Sequence, residues 1–211
     1  GPYAAAVADG EILLVDYDGS SGAGWAYSDA GDDAVTGIWE LGLPQCNGRG
    51  DPCTDGSGDS TGACFLTEIN PGDSNSDIDG GRTTLVSPVF DGGASGSGLS
   101  LSYDRWYSND FGASPGQDSM QIFISNDAGA SWTLVEDVNE NANAWVTVDF
   151  VLEDVIAPTD QMRMRFVASD LGDGSVVEAG VDNLRVFGIE CDESVPGDLN
   201  GDGLVNGTDL G

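Results

Sequence analysis

The sequence predicts an all-β protein: a two-sheet antiparallel sandwich of the jelly-roll kind, with a short C-terminal EF-hand-like calcium loop. Three observations predict it. Apolar residues recur every second position in Leu99-Ser100-Leu101-Ser102-Tyr103, in residues 120–124, in residues 146–152 and in residues 162–166, the pattern of strands with one face on a core and one in water. The stretches between them are rich in Gly, Ser and Asp, the residues of tight turns. Finally, oxygen-bearing side chains near the C-terminus follow the spacing of a 12-residue calcium loop.

In chain order, residues 1–10 form an extension of small residues, and Glu11–Tyr17 is the first strand. Further strands fall at 37–40, 63–68, 82–89, 99–103, 120–124, 131–137, 146–152, 162–166 and 181–189. No segment carries a helical period with caps. Residues 45–62 and 70–81 are long surface loops. The sandwich spans 11–191, a linker with Pro196 covers 192–197, and the calcium loop occupies 198–211. Irregular spacing with no internal repeat favours a sandwich over a repeat array.

Composition restricts the chemistry. The 211 residues include 37 acidic and 6 basic ones, a net charge of −31, with every base an arginine and no histidine or lysine. Histidine-dependent nucleophiles, Schiff-base lysines and histidine zinc sites are therefore excluded. Nucleic acid is excluded as a partner, because its binding needs bases to neutralise phosphates. No stretch of 18 apolar residues is present to span a membrane. A hydrophobic share of 39% separates the chain from disordered acidic polymers. We expect no enzyme.

Cys46, Cys53, Cys64 and Cys191 are even in number, without a CxxC pair, as in exported proteins. Three pairings are possible, and Cys46–Cys53 with Cys64–Cys191 is favoured. The start at Gly1-Pro2-Tyr3 has no basic n-region and no signal-peptide hydrophobic core, which fits a processed chain or an expressed segment.

Asp198, Asn200, Asp202, Leu204, Asn206 and Asp209 occupy the ligand positions of the calcium loop, Leu204 through its carbonyl, and Gly203 allows the sharp bend. Asp209 stands where many such loops have glutamate. The pattern resembles the first loop of a dockerin type I repeat, which implies calcium binding. A dockerin pairs two such loops with two helices, so no cohesin partner is implied here.

Residues 11–190 also resemble jelly-roll modules of secreted bacterial proteins, often attached to peptidases. The likeness rests on Trp39-Glu40, Cys64-Phe65-Leu66-Thr67, the run 77–90, Tyr103-Asp104-Arg105-Trp106-Tyr107 and Glu178-Ala179-Gly180-Val181-Asp182-Asn183-Leu184. It implies a fold similar to MAM domains and carbohydrate-binding jelly rolls, which commonly hold a structural calcium between sheet edge and loops. Asp77 and Asp79 before one strand, with Glu178 and Asp182 on the last, are the candidate ligands of such an ion.

Ser125-Asn126-Asp127-Ala128-Gly129-Ala130-Ser131-Trp132 matches an Asp-box hairpin, expected to be structural as a single copy. Trp106 and Tyr107 are candidate glycan-stacking rings, although aromatics in a sandwich are more often core. Arg49-Gly50-Asp51 lies inside the Cys46–Cys53 loop as a candidate adhesive tripeptide. The expected function is that of a non-catalytic, calcium-stabilised, extracellular bacterial module for adhesion or assembly. One version self-associates by adding the segment Ile12-Leu13-Leu14-Val15 to a neighbour as a strand; otherwise that segment is the domain's own first strand. The alternative is a carbohydrate-binding accessory of a secreted hydrolase or peptidase.

Overall fold

The computed structural model describes residues 11–56, 61–70, 76–93, 98–172 and 174–189. The favoured partner Cys191, the linker 192–197 and the calcium loop 198–211 lie outside the described residues, as does the extension 1–10.

Among the described residues ten strands form two antiparallel sheets: β1 (Glu11–Tyr17), β2 (Trp39–Gly42), β3 (Cys64–Thr67), β4 (Gly81–Val86), β5 (Ser100–Gly112), β6 (Met120–Ser125), β7 (Thr133–Val138), β8 (Val146–Val151), β9 (Arg163–Asp170) and β10 (Ser175–Ile189). Sheet A has the order β2-β3-β10-β5-β8, with β1 also pairing β10; sheet B has the order β4-β9-β6-β7. The all-β antiparallel sandwich is therefore the observed fold.

Alternation positions the core. Along β9, Met164, Phe166 and Ala168 are fully buried while Arg163, Arg165 and Val167 are not, so one face seals against sheet A. Met120, Ile122 and Ile124 of β6 complete that layer, and Leu101, Tyr103, Tyr107, Val181 and Val186 of β5 and β10 face it. The outward residues of sheet B stack on one another: the Arg165 guanidinium lies 4.5 Å from the ring centroids of both Phe123 and Trp132.

The first strand is the domain's own. Glu11–Tyr17 pairs antiparallel with the C-terminal end of β10, from Glu11 opposite Ile189 to Tyr17 opposite Leu184. β3 takes up the same edge of β10 at Val181 and Gly180. Between the two partners, Asn183 adopts a left-handed backbone with φ 51°, and the register against β5 shifts between Asp182 and Arg185. This bulge kinks β10 where one neighbour ends and the next begins.

Two boundaries differ most from expectation. β5 extends nine residues beyond Tyr103, to Gly112, and β10 begins at Ser175 rather than near 181. Tyr107, Ser108 and Asn109 in the first extension, and residues 175–180 in the second, are buried on both faces, so alternation fades there. A single helical turn, α1 (Leu152–Val155), also forms after β8; four residues are too few to display a helical period.

The Asp-box is a hairpin in fact. Asp127 accepts bonds from the hydroxyls of Ser125 (2.7 Å) and Ser131 (2.6 Å) and from the Ser131 amide (2.8 Å). The Ser131 and Ser125 bonds hold its carboxyl down at about 2. Gly129 turns with φ 95°, and a side chain there would come within 3.1 Å of the Trp132 ring.

Candidate functional site

The outer face of sheet A is covered by a loop. Asp104, Trp106 and Ser108 of β5, with Glu178, Gly180 and Asp182 of β10, point away from the core. Residues 45–56 lie across them. The Cys46–Cys53 disulfide closes this loop as expected, and two indoles clamp it from below. Trp106 Nε1 donates to the Gly50 carbonyl and Trp145 Nε1 to the Thr54 carbonyl, each at 2.7 Å. At its end the Gly56 amide donates to Asp182 Oδ2 at 3.0 Å. Gly50 takes φ 108°, a left-handed backbone that strains any side chain, and a Cβ there would stand 2.4 Å from Ser108 Oγ.

Replacing both Cys46 and Cys53 by serine is expected to cost about 2–3 kcal/mol in urea unfolding, the entropy of so short a closed loop. A loss below about 0.5 kcal/mol, the range of a neutral surface change, would show that the indole clamps alone order the loop.

The four carboxylates expected to share an ion fall into separate groups. Glu178 and Asp77 are buried near each other, and both feel the charge of Asp51 from the covering loop. Burial, then repulsion from Asp51, pushes the Glu178 carboxyl well above its ordinary value. Burial likewise raises Asp77, aided by Asp79, and burial raises Asp51. Glu178 Oε2 accepts from Thr67 Oγ1 at 3.1 Å. A narrow cavity beside them is lined by Asn47, Asp51, Thr67, Glu68 and Glu178. Asp79 is exposed and its backbone bridges Thr36. Asp182 lies four residues along the same strand face from Glu178, roughly 13 Å away, so no single ion reaches both.

Asp182 instead stands opposite Asp104. Asp104 is buried and accepts from Asn183 Nδ2 at 2.7 Å and Thr147 Oγ1 at 2.5 Å. Nothing in the sequence marks Thr67 or Asp104 as a site residue. Asp51 was visible only as part of Arg49-Gly50-Asp51, whose carboxyl is turned down toward the sheet rather than displayed. Among the described residues, no three Asp, Glu or Cys side chains are set to hold a metal ion. The ligand set Asp198, Asn200, Asp202, Leu204, Asn206 and Asp209 lies outside the described residues.

Tyr107 does not belong to a glycan platform. Tyr107 is 0% exposed; it sits opposite Ala179 on the inner face and offers no ring to a sugar. Trp106 is half-buried and meets Trp145 edge-on, with ring centroids 5.9 Å apart. No helix among the described residues is long and apolar enough to cross a membrane.

No protein-family model matches the chain, and no curated protein does. Solved structures with similar folds include the K1 cleaved adhesin domain of Lys-gingipain from Porphyromonas gingivalis W83, 13% identical, over 82% of this chain and 96% of that one, with a TM-score of 0.48. A family 11 carbohydrate-binding module from Clostridium thermocellum, solved with a mixed-linked tetrasaccharide, is 13% identical over 88% of this chain and 98% of its own, with a TM-score of 0.44. A Stig cyclase from Fischerella sp. TAU is 10% identical over 89% and 98%, also at 0.44.

Proposed function

We propose that the chain is a non-catalytic, extracellular bacterial β-sandwich module for adhesion or assembly, with a protein partner or a second copy of itself. The observation that carries this reading is the clamped loop: residues 45–56, closed by Cys46–Cys53, fill the outer face of sheet A with a shaped protein surface. The absence of histidine and lysine from the sequence supports a non-catalytic role. In this reading calcium stabilises the module through Asp198, Asn200, Asp202, the Leu204 carbonyl, Asn206 and Asp209. Self-association would use β1, which pairs only with β10 among the described residues, so its other edge can receive a strand.

A second reading rests on the half-buried Trp106–Trp145 pair, whose exposed parts suit stacking on a sugar ring. Sedimentation velocity across protein concentration, in calcium and in EDTA, together with a glycan array, separates the two. Association without glycan binding supports the assembly reading. A monomer throughout, with glycan binding abolished in Trp145→Ala, overturns it in favour of the carbohydrate module.

A further inference from the structure

One end of the sandwich interior finishes in oxygen atoms instead of methyl groups. The register of β6 against β9, Met120 opposite Ala168, carried two residues further sets Asp118 opposite Asp170 on the inner face of sheet B. From sheet A, Tyr107 and Asn109 follow Leu101 and Tyr103 along the inner face of β5. All four are buried: Tyr107 0% exposed, Asp170 2%, Asn109 3% and Asp118 7%. Both carboxylates are near enough that their charge adds to burial in raising the Tyr107 phenol.

Among the described residues, three acceptors at this end have no hydrogen-bond donor: Asn109 Oδ1, Asp118 Oδ2 and Asp170 Oδ1. Three nearby donors each have a partner already. Asn109 Nδ2 donates to the Tyr107 hydroxyl at 3.4 Å, and the Leu171 amide donates to Asp118 Oδ1 at 2.8 Å. The Gly172 amide donates to Asp170. Two buried carboxylates of like charge and an unsatisfied amide oxygen form a costly set. A divalent cation removes that cost, since it neutralises two charges and takes hard oxygen ligands of these types.

We propose that Asp118, Asp170 and Asn109 bind a divalent cation of the calcium class at this end of the sandwich, independently of the loop 198–209. A surface groove lined by Gly116, Asp118, Asp137, Asn139, Ser169 and Leu171 gives it a route from solvent. The charges that act most strongly on Asp170 are those of Asp118, Asp79 and Asp77, and all three are acidic.

The test is calorimetric titration of the full chain with CaCl2 at pH 7.5, alongside melting curves in calcium and in EDTA. The double variant D118N/D170N is nearly isosteric and relieves the repulsion, so it is expected to melt no lower than the wild type in EDTA. It should bind one calcium fewer per chain and gain less melting temperature from calcium. Asn109→Asp supplies a third carboxylate and is expected to tighten that site about tenfold while lowering the melting temperature in EDTA. Equal stoichiometry and an equal calcium-induced shift in wild type and D118N/D170N would overturn the proposal. So would an N109D affinity no tighter than wild type. In either case the carboxyl pair would be satisfied by a shared proton.

Discussion

Phe166→Ala is expected to lower the free energy of unfolding by about 3–5 kcal/mol, the usual cost of emptying an aromatic site in a packed core. The residue is fully buried at the middle of β9, between Ile122 on one side and Leu85 on the other. Its ring meets Tyr103 of the opposite sheet edge-on, with centroids 5.5 Å apart. Removing the ring takes away both the burial and that contact, so the melting temperature should fall by roughly 10 °C for a domain of this size. The control is Phe123→Ala. Phe123 points outward on β6, where it packs beneath Arg165, and its loss should cost about 1 kcal/mol. Urea unfolding of the two variants reads the polarity of sheet B directly. A one-residue slip in register would exchange the faces and reverse the order of the two costs.

That polarity was legible in the sequence, because strict alternation in residues 120–124 and 162–166 suits a half-buried strand and breaks the three-to-four-residue spacing of a helix. The first strand was legible to the residue, Glu11–Tyr17. The Cys46–Cys53 pairing also emerged from short spacing. Alternation failed where both faces of a strand are covered. In Asp104–Asn109 and Ser175–Gly180, polar residues are buried beneath the 45–56 loop or at the sandwich end, so a two-residue period cannot separate inside from outside. For the same reason Tyr107 resembled a surface ring in the run Arg105-Trp106-Tyr107, whereas it belongs to the core. Sequence proximity of Asp77 and Asp79, and of Glu178 and Asp182, suggested one ion site. The distance along β10 divides it. Conversely, Asp118 and Asp170 are 52 positions apart, and only the β6–β9 register brings them together.

The carboxylates at that end should also make stability depend on pH in a distinctive direction. Burial, and then Asp118, raises the Asp170 carboxyl to about 6. A carboxyl raised above its unfolded value favours the protonated native state. In EDTA, stability should therefore decline as pH rises from about 4 through 6, the reverse of the usual behaviour of a paired carboxylate. Calcium should flatten that decline in the wild type and leave the pH slope of D118N/D170N unchanged.

Asp104→Ala is expected to cost about 3 kcal/mol, because this buried carboxylate is the centre of a chain of polar contacts crossing sheet A. The chain runs from Asp16 of β1 to Arg185 Nε (2.9 Å), from Arg185 Nη2 to Asn183 Oδ1 (2.7 Å), from Asn183 Nδ2 to Asp104 (2.7 Å), and from Thr147 Oγ1 of β8 to Asp104 (2.5 Å). It joins four strands at the bulge where β10 exchanges β1 for β3. Asp104 faces Asp182 directly across the ladder, a like-charge pair that would weaken the sheet if both were bare. The Gly56 and Asn183 amides on Asp182 and the two side-chain donors on Asp104 offset that repulsion. The left-handed backbone of Asn183 is thus supported by its own side chain, held between Asp104 and Arg185. Asn183→Gly separates the two roles, since glycine accepts φ 51° without strain but has no amide group to bridge. A double-mutant cycle of Asp104→Ala with Asn183→Gly is expected to show at least about 1 kcal/mol of coupling in urea unfolding. Costs that add within about 0.5 kcal/mol, as they do for independent sites, would mean that the bulge is held by backbone pairing alone.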